Sequence, residues 1–344
     1  MDRIPLSPYS TIFWLEQQLQ PSRLDYHLIF DQELKGRLDT SRLQRAIDLL
    51  IASNPLFSSH VIEQDDQCVW NMNACSIDLQ VFDNLETLNR YVMQPFDLAE
   101  GPLCRFGLVE YEKNHYRLIF TVHHIILDGR STVALMNDLS NYYNKAVSMR
   151  PRDSLNQMIV QVNLDLQQKI DQLDQTKIIN FWQSYLLPEY SQTQFNLPIL
   201  QASHHFSNDK LGKHTFIIER DPVDSYQLKH RLSSFNILMI AWAIVIARFA
   251  NQSYCVVSYP YAVGQSEMAI GSQVNRLLMP IDFSNGETFV DICNNVMLYI
   301  REMRACSAQV YPLWLIKDDI KPAKFNVGFS NIVSIVERFF YKFN

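Results

Sequence analysis

The chain has 344 residues, of which 47% are hydrophobic and 19% are charged. This composition supports a sizeable core and excludes a disordered chain, and the length is that of about two domains. The formal net charge is −6 and no Lys/Arg cluster stands out, so the sequence shows none of the basic footprint expected of a nucleic-acid-binding protein.

Helix and strand patterns alternate in the first half. Ser7 is a candidate cap for a first helix, and the period-two alternation of YHLIFDQELKG predicts a strand that ends at Gly36. The segment LDTSRLQRAIDLLIASNP predicts a helix stopped by Pro55. LETLNRYVMQ predicts a short helix, two strands with a polar turn at Glu112–Asn114 follow, and STVALMNDLSNYYNKAV predicts an amphipathic helix.

The second half begins after a change of composition. Residues 151–177 are rich in Gln, Asn and Asp, which predicts either a linker or a helix that crosses between domains. Further along, IINFWQSYLL, residues 223–230, residues 235–250 and TFVDICNNVMLYIREMRACSA are predicted helices, and KHTFIIER, YCVVSYPY and RLLMPIDF are predicted strands.

Cysteine usage and apolar segments indicate a cytoplasmic protein. The six cysteines have no CxxC spacing, which disfavours zinc and thioredoxin-like sites, and we expect buried, reduced thiols. The N-terminus MDRIPLSPYS lacks an apolar signal core. The longest apolar run, residues 237–247, is shorter than the ~20 residues that span a bilayer, so we expect a buried core helix and no membrane partner.

Residues 121–132, TVHHIILDGRST, carry the candidate chemistry. Successive strand side chains point to opposite faces, so only one of His123 and His124 can enter any one pocket. His124 is predicted to share a face with Tyr116, Leu118, Phe120 and Val122, whereas His123 shares the other with Arg117, Ile119 and Thr121. The second imidazole has to be held by packing or by a hydrogen bond.

Several interpretations fit these residues. An imidazole with an ordinary pKa near ~6.5 can take a proton from an attacking amine, hydroxyl or thiol near neutral pH. Asp128 is a turn residue or an ion-pair anchor, and Gly129 permits a tight turn with a free N–H beside the bound group. Alternatively, both histidines are satisfied inside the fold. A metal site is disfavoured, because adjacent strand positions chelate one ion poorly and no third ligand is visible.

The segment HHIILDG fits HHxxxDG, and the chain resembles the condensation domains of nonribosomal peptide synthetases. Chloramphenicol acetyltransferase and other acyl-CoA-dependent acyltransferases are wider relatives. The resemblance covers nearly the whole chain, and the other matching segments occur in the family's order. In the first half, LSPYSTIFWLEQ resembles the family motif LSPxQxxxWxxxQ, and QPFDLAEGPLCRFGL resembles PFDLxxGPLxR. In the second half, FNILMIAWAIVIARFANQSYCVVSYP resembles the family's long helix and following strand, and AQVYPLWLI resembles a weaker motif. Between these two segments, AIGSQVNRLLMPI resembles IGxFVNTxPxR through Ile270, Gly271, Val274 and Asn275.

The resemblance implies an α/β fold of two chloramphenicol-acetyltransferase-like lobes in a V-shaped pseudo-dimer. Residues 1–165 form the N-terminal lobe with HHxxxDG, and residues 166–344 form the C-terminal lobe. The family domain runs beyond the segment matched by FNVGFSN, so the second lobe is expected to be incomplete at its C-terminus. We expect a monomer with its active site in a tunnel between the lobes.

The resemblance also implies a reaction and its residues. A carrier protein presents an acyl or peptidyl thioester on a phosphopantetheine arm, an amine attacks it, and an amide (or ester) forms; the chain binds no cofactor of its own. His124 is then the general base or positions the amine, His123 supports the fold, Asp128 is structural and the Gly129 N–H lies near the oxyanion. Because Met1 lies just before the opening motif, we expect a free-standing enzyme with carrier proteins as separate partners.

Some positions differ from the family pattern. Ser58 stands where an arginine is usual, and the arginine expected near Gly264 and Gln265 is absent. Such arginines pair with the acid of HHxxxDG in the family. Arg276, in place of a threonine, is the substitute partner that we consider for Asp128.

Two further differences lie where substrates are expected. Arg130 replaces an aromatic residue and Gln273 replaces a phenylalanine. The predicted substrate-binding residues are Asn275, Arg276, Arg130 and Gln273. These differences leave two alternatives to a carrier-dependent enzyme: a non-catalytic carrier-protein docking module or decayed copy, and an acyltransferase that uses free acyl-CoA.

Overall fold

The computed structural model describes residues 3–64, 67–72, 76–144, 152–186, 218–263, 272–316 and 329, without the side chains of residues 129–134, 152–156 and 158. The contacts divide the chain into two compact units. The first holds the described residues among Met1–Asp171 and Gly264–Val274, and the second holds those among Gln172–Val263 and Asn275–Asn331.

The first unit contains every element predicted for the first half of the sequence. Each α-helix of this unit for which a cap is described begins after a polar N-cap whose side chain accepts a backbone N–H, as Ser7, Asp39 and Asn84 do. The elements are β1 (Arg3–Pro5), α1 (Pro8–Leu19), β2 (His27–Lys35), α2 (Thr40–Ala52), β3 (His60–Gln64), β4 (Gln67–Asn71), β5 (Leu79–Phe82), α3 (Leu85–Val92), β6 (Cys104–Glu112), β7 (His115–His123), α4 (Gly129–Asn144) and α5 (Arg152–Asp171).

Two sheets organise this unit. The larger one has the strand order β2-β7-β6-β5, with β7 antiparallel to both neighbours and β5 parallel to β6. The smaller one has the order β1-β4-β3 and is antiparallel. In the larger sheet His27 lies directly opposite His123, so the start of β2 meets the end of β7.

An aromatic stack fills the core against the larger sheet. Phe120 of β7 stacks on Phe106 of β6 with ring centroids 4.4 Å apart, and on Phe30 of β2 at 5.5 Å. Cross-strand aromatic contacts of this kind stabilise a sheet and fix its register.

On β6, Gly107 allows α3 to lie close to the sheet, because a Cβ at this position would overlap the Leu88 side chain.

The described elements of the second unit include the predicted helices and two strands. Tyr299 lies at its core, donates its hydroxyl to the Leu278 carbonyl at 2.6 Å, and contacts Phe181, Trp182 and Tyr185. The elements are α6 (Gln175–Tyr185), α7 (Arg220–His230), α8 (Ser234–Phe249), β8 (Tyr254–Ala262), β9 (Val274–Asp282, from Asn275 onward in this unit) and α9 (Phe289–Ala305).

The apolar helix α8 is only partly buried, which corrects the expectation of a fully buried helix. Ile240 and Ala243 are fully buried, whereas Trp242, Val245 and Phe249 are 38%, 47% and 65% exposed. An all-round apolar helix is enclosed only when neighbours cover every side, and here one stripe stays open. Among the described residues, no single helix is long and apolar enough to cross a membrane. Only α7 and α8 taken together reach that length and hydropathy, and the chain bends by 108° between them.

Other expectations have mixed outcomes. Residues 152–171 and 175–185 are helical. Of the two alternatives predicted for residues 151–177, a linker or a helix, the structure therefore supports the helix. The division at residues 165 and 166 stays a prediction. The predicted strand KHTFIIER lies mainly outside the described residues, and so do Gly264, Gln265, Ile270, Gly271 and most of the C-terminal segment.

The described cysteines are free thiols. Burial is complete or nearly so for Cys104, Cys255 and Cys293, and it raises the pKa of all three thiols. Cys68 and Cys306 are only partly buried, so the expectation of buried thiols is correct for three of the five described positions.

Candidate active site at the end of strand β7

The two histidines of HHIILDG lie where the chain leaves the larger sheet. His123 is the last residue of β7, and His124 begins a turn in which the Ile126 N–H donates to the His123 carbonyl at 3.2 Å. The His124 N–H donates to the Tyr26 carbonyl at 2.8 Å. The predicted alternation of faces therefore ends at His123, and His124 takes its orientation from the turn.

His123 is completely buried and acts as a packing residue. Its Nδ1 accepts the Ile125 N–H at 3.1 Å, which places the proton of the neutral ring on Nε2. Burial, and next the proximity of His27 and His124, lower the pKa of His123 to about 3. The ring is neutral at physiological pH and supports the turn. It is surrounded edge-on by Phe13, Tyr26 and Phe96, with centroids 6.5, 5.8 and 6.0 Å away.

His124 is partly exposed and differently placed. Its ring stacks on Phe13, with centroids 5.3 Å apart and an angle of 15° between the planes. Its Nδ1 is buried and makes no hydrogen bond of normal geometry with any residue the structure describes. Burial lowers the pKa of His124, while the backbone of His124 and Leu127 and the Asp128 carboxylate oppose this effect. The net direction is downward, so His124 is neutral near pH 7 and can accept a proton or a hydrogen bond.

Asp128 and Gly129 close the turn. Asp128 is 5% exposed, and its negative charge favours a protonated His124. Gly129 is the first residue of α4, where backbone N–H groups lack partners within the helix and the helix dipole favours negative charge. The side chain of Arg130, a predicted substrate-binding residue, lies outside the described residues.

The other predicted substrate-binding residues lie near β9. Gln273 is buried in the first unit, next to Ser272, whose carbonyl accepts the Ser7 hydroxyl at 3.2 Å. Asn275 and Arg276 belong to the second unit. There Arg276 is exposed, and the Asn275 amide donates to the carbonyls of Gln309 and Tyr311 at 3.0 and 2.9 Å. The amide of Asn275 thus ties two of the motif segments together within the second unit.

Sequence reasoning missed His27 and Phe13 at this site. His27 lies opposite His123, and neither of its ring nitrogens has a hydrogen-bond partner among the described residues. Burial, followed by the charge of Arg105, lowers the pKa of His27 to about 4. The strand pattern of YHLIF contained His27, but strand register cannot be read from one sequence. Among the described residues no three His, Cys, Asp or Glu side chains converge as metal ligands.

The family model for the Condensation domain matches residues 1–336. The chain belongs to the condensation domain family. Condensation domains are acyltransferases that form amide bonds in nonribosomal peptide synthesis. The chain is similar to surfactin synthase subunit 1 of Bacillus subtilis, with 24% identity over 343 residues that cover 92% of this chain and 9% of that protein. This condensation domain therefore spans less than a tenth of that relative.

Solved structures support the same fold. The X-domain from teicoplanin biosynthesis, solved in complex with OxyB, has a TM-score of 0.75 and 19% identity, over 94% of this chain and 75% of that one. The starter condensation domain of rhizomide synthetase, as a mutant in complex with C8-CoA, has a TM-score of 0.71 and 15% identity, over 95% and 78%. The α/β, chloramphenicol-acetyltransferase-like fold implied by the sequence is confirmed.

Proposed function

We propose that this condensation domain forms an amide (or ester) bond between a carrier-bound acyl or peptidyl group and an acceptor amine (or hydroxyl). The acceptor attacks the thioester carbonyl carbon, the C–S bond breaks, and the thiol of the phosphopantetheine arm leaves. His124 takes the acceptor's proton, or positions the amine that carries it, and the proton passes to the departing sulfur. The N–H of Gly129 at the start of α4 stabilises the developing oxyanion.

The difference between the two adjacent imidazoles carries this proposal. His123 is fully buried with its Nδ1 committed to the Ile125 N–H, whereas His124 is partly exposed and neutral. A neutral imidazole beside a helix N-terminus combines a proton acceptor with an anion-stabilising group. This is the pair of groups that aminolysis of a thioester needs.

The size of each contribution limits the role of His124. A positioned base supplies typically ~10²–10⁴ in rate, and holding the thioester and the amine together can supply more. A pKa lowered by burial makes His124 a weaker base than a solvated histidine. This direction favours hydrogen bonding to the amine as a substantial part of the role of His124.

The test supplies the acyl group in two forms. The protein is mixed with an acyl-loaded carrier protein or with the same acyl group on CoA, each with a panel of amines, and products are followed by mass spectrometry. Amide formed from the carrier thioester only, and lost in His124→Ala, is the expected result. His115→Ala, a change at the other end of β7, is the matched control and should leave product formation unchanged.

Docking without catalysis is a second candidate function. The X-domain with the same fold was solved bound to another protein, OxyB. At Ser58, where an arginine is usual, the side chain is buried and donates to the Pro55 carbonyl at 3.2 Å, so it holds the backbone. Carrier binding without turnover in the same assay would favour this candidate over the proposed enzyme.

An acyl-CoA-dependent transfer is the remaining alternative. The rhizomide synthetase domain was solved in complex with C8-CoA, so this fold can hold an acyl-CoA. Amide formed equally from CoA and from the carrier would favour it. Because the carrier is supplied as a separate protein, the assay also tests whether the domain works with partners in trans.

A further inference from the structure

One face of helix α1 supports the turn that carries His124. In a helix, residues three and four apart share a face, and Phe13, Glu16 and Gln17 do so here. Gln17 donates to the carbonyls of Pro21 and Phe96 at 2.8 and 3.3 Å. This face fixes the loop before β2 and the segment beside His123.

Phe13 is the residue of this face that contacts His124. The two rings are nearly parallel, at 15° with centroids 5.3 Å apart. Phe13 also packs edge-to-face with Tyr26, with ring centroids 4.7 Å apart and an angle of 78° between the planes. Tyr26 also accepts the His124 backbone N–H through its carbonyl, so Phe13 and Tyr26 hold both the ring and the backbone of His124.

Charged groups in turn hold Tyr26. Its hydroxyl hydrogen-bonds to Glu16, and the Arg23 guanidinium lies 4.2 Å from its ring centroid. Arg23 pairs with Glu16 at 2.9 Å and with Asp25 at 2.6 Å. Because Glu16 belongs to α1, the network ties the position of Tyr26 to the helix that presents Phe13.

Catalytic histidines are usually oriented by a hydrogen bond to the ring nitrogen that does not react. For His124, the buried Nδ1 makes no regular hydrogen bond among the described residues, and the ring interacts there with the nearby backbone of His124 and Leu127. The stacked Phe13 ring adds a packing contact that restricts the plane of the imidazole. We propose that Phe13 is a positioning residue, whose ring fixes the plane of the His124 imidazole for the reaction. This inference rests on the proposed function of His124.

The first experiment measures the ring contact without turnover. The His124 ring protons are assigned by NMR from the signals lost in His124→Ala. The face of Phe13 should shift them upfield in the native protein, and Phe13→Leu should abolish that shift while Phe13→Tyr keeps it. Phe13→Met is made in parallel, so that failure of one variant to fold does not decide the outcome. An unchanged His124 signal in both aliphatic variants would overturn the proposal.

The second experiment uses the carrier-thioester assay. We expect Phe13→Leu to lower kcat about three- to tenfold, with KM nearly unchanged, which corresponds to typical aromatic-pair energies. Phe13→Tyr should recover most of kcat. Phe30→Leu is the matched control, since Phe30 is partly buried in the same core but stacks on Phe120; it should leave kcat unchanged.

The two readouts separate the two hypotheses. A native protein that shows the ring shift but no turnover contradicts the proposed reaction and leaves the ring contact established. A loss in Phe13→Leu that appears only as a higher KM, or that Phe30→Leu reproduces, contradicts the positioning role of Phe13.

Discussion

Strand β7 begins and ends with a histidine, and the two ends differ in their exposure to solvent. His115 opens the strand with its side chain 38% exposed, and its Nδ1 lies 3.4 Å from a carboxylate oxygen of the exposed Glu112. His123 closes the strand with no exposure, among Phe13, Tyr26 and Phe96. His115 therefore lies partly in solvent, beside a carboxylate and the stacked ring of Tyr111, whereas His123 is enclosed by aromatic rings and shielded from solvent.

This difference shows where proton transfer can be controlled. Exposed ion pairs contribute little and are screened by salt, whereas a desolvated imidazole keeps one protonation state and one tautomer. His124, next to the buried end, combines this controlled environment with partial exposure. Four predictions about the two ends test the comparison.

The largest expected effect is on catalysis. His124→Ala should lower kcat for carrier-dependent amide formation by roughly 10²–10⁴-fold, because it removes the proton acceptor. Single-turnover measurements provide the rates. An equal loss of rate in His115→Ala, at the solvent-exposed end of β7, would contradict the idea that the buried end controls catalysis.

The next effect is on stability. His123→Ala should lower the free energy of unfolding by about 2–4 kcal/mol, because it leaves a cavity among aromatic rings and removes the acceptor for the Ile125 N–H. Urea denaturation measures this loss. A smaller loss than in His115→Ala, for which we expect at most about 0.5 kcal/mol, would show that the buried end is not the better packed one.

The pH dependence sharpens the comparison further. The pKa of His123 is about 3 when folded and roughly 6.5 when unfolded, so between these values the unfolded state binds the extra proton. The contribution of His123 to the free energy of unfolding is fully present above about pH 6.5. As the pH decreases below this value, the contribution falls by about 1.4 kcal/mol per pH unit. His27, with a folded pKa of about 4, adds to the fall within the upper part of the window.

Urea midpoints between pH 7 and pH 4.5 test this dependence. His123→Gln should reduce the slope by about one proton. Phe30→Leu, which destabilises the same core without removing a titrating group, should keep the native slope. Equal slopes in the native protein and His123→Gln would contradict the low pKa of His123.

The smallest effect belongs to the solvent end. Glu112→Gln removes the charge beside His115, and both side chains are at least 38% exposed. We expect a change in the free energy of unfolding below about 0.5 kcal/mol that disappears at high salt, with kcat unchanged. Thermal unfolding at low and high salt provides the measurement, and a larger, salt-independent loss would count against a weak surface pair.

Much of the first unit could be predicted because periodicity reports burial directly. Period-two alternation located β2, and candidate caps before apolar residues at helical spacing located α1 and α2. The strand pattern extended too far at His124, because β7 ends at His123 and the turn begins at His124 although the following residues are apolar. The expectation of full burial was also wrong for α8, where the apolar run extends over an exposed stripe at Trp242, Val245 and Phe249.

The site could be predicted only as far as the local motif extends. HHIILDG located the two imidazoles, Asp128 and the start of α4. The opposition of His27 and His123 depends on strand register, and the stacking of Phe13 on His124 joins residues far apart in sequence. Neither contact leaves a local pattern, so only coordinates reveal them. The catalytic and substrate-binding roles of the individual residues remain predictions.

The hydrogen bonds of Asn275 bear on how related sequences should be sorted. Its side-chain amide donates hydrogen bonds to the backbone carbonyls of Gln309 and Tyr311. Natural selection for folding alone would therefore retain an asparagine at this position. A gene copy that had lost its enzymatic task would keep this residue as faithfully as a working one. Genome surveys that separate active members from degenerate ones should therefore give weight to His124 and its ring partner rather than to Asn275.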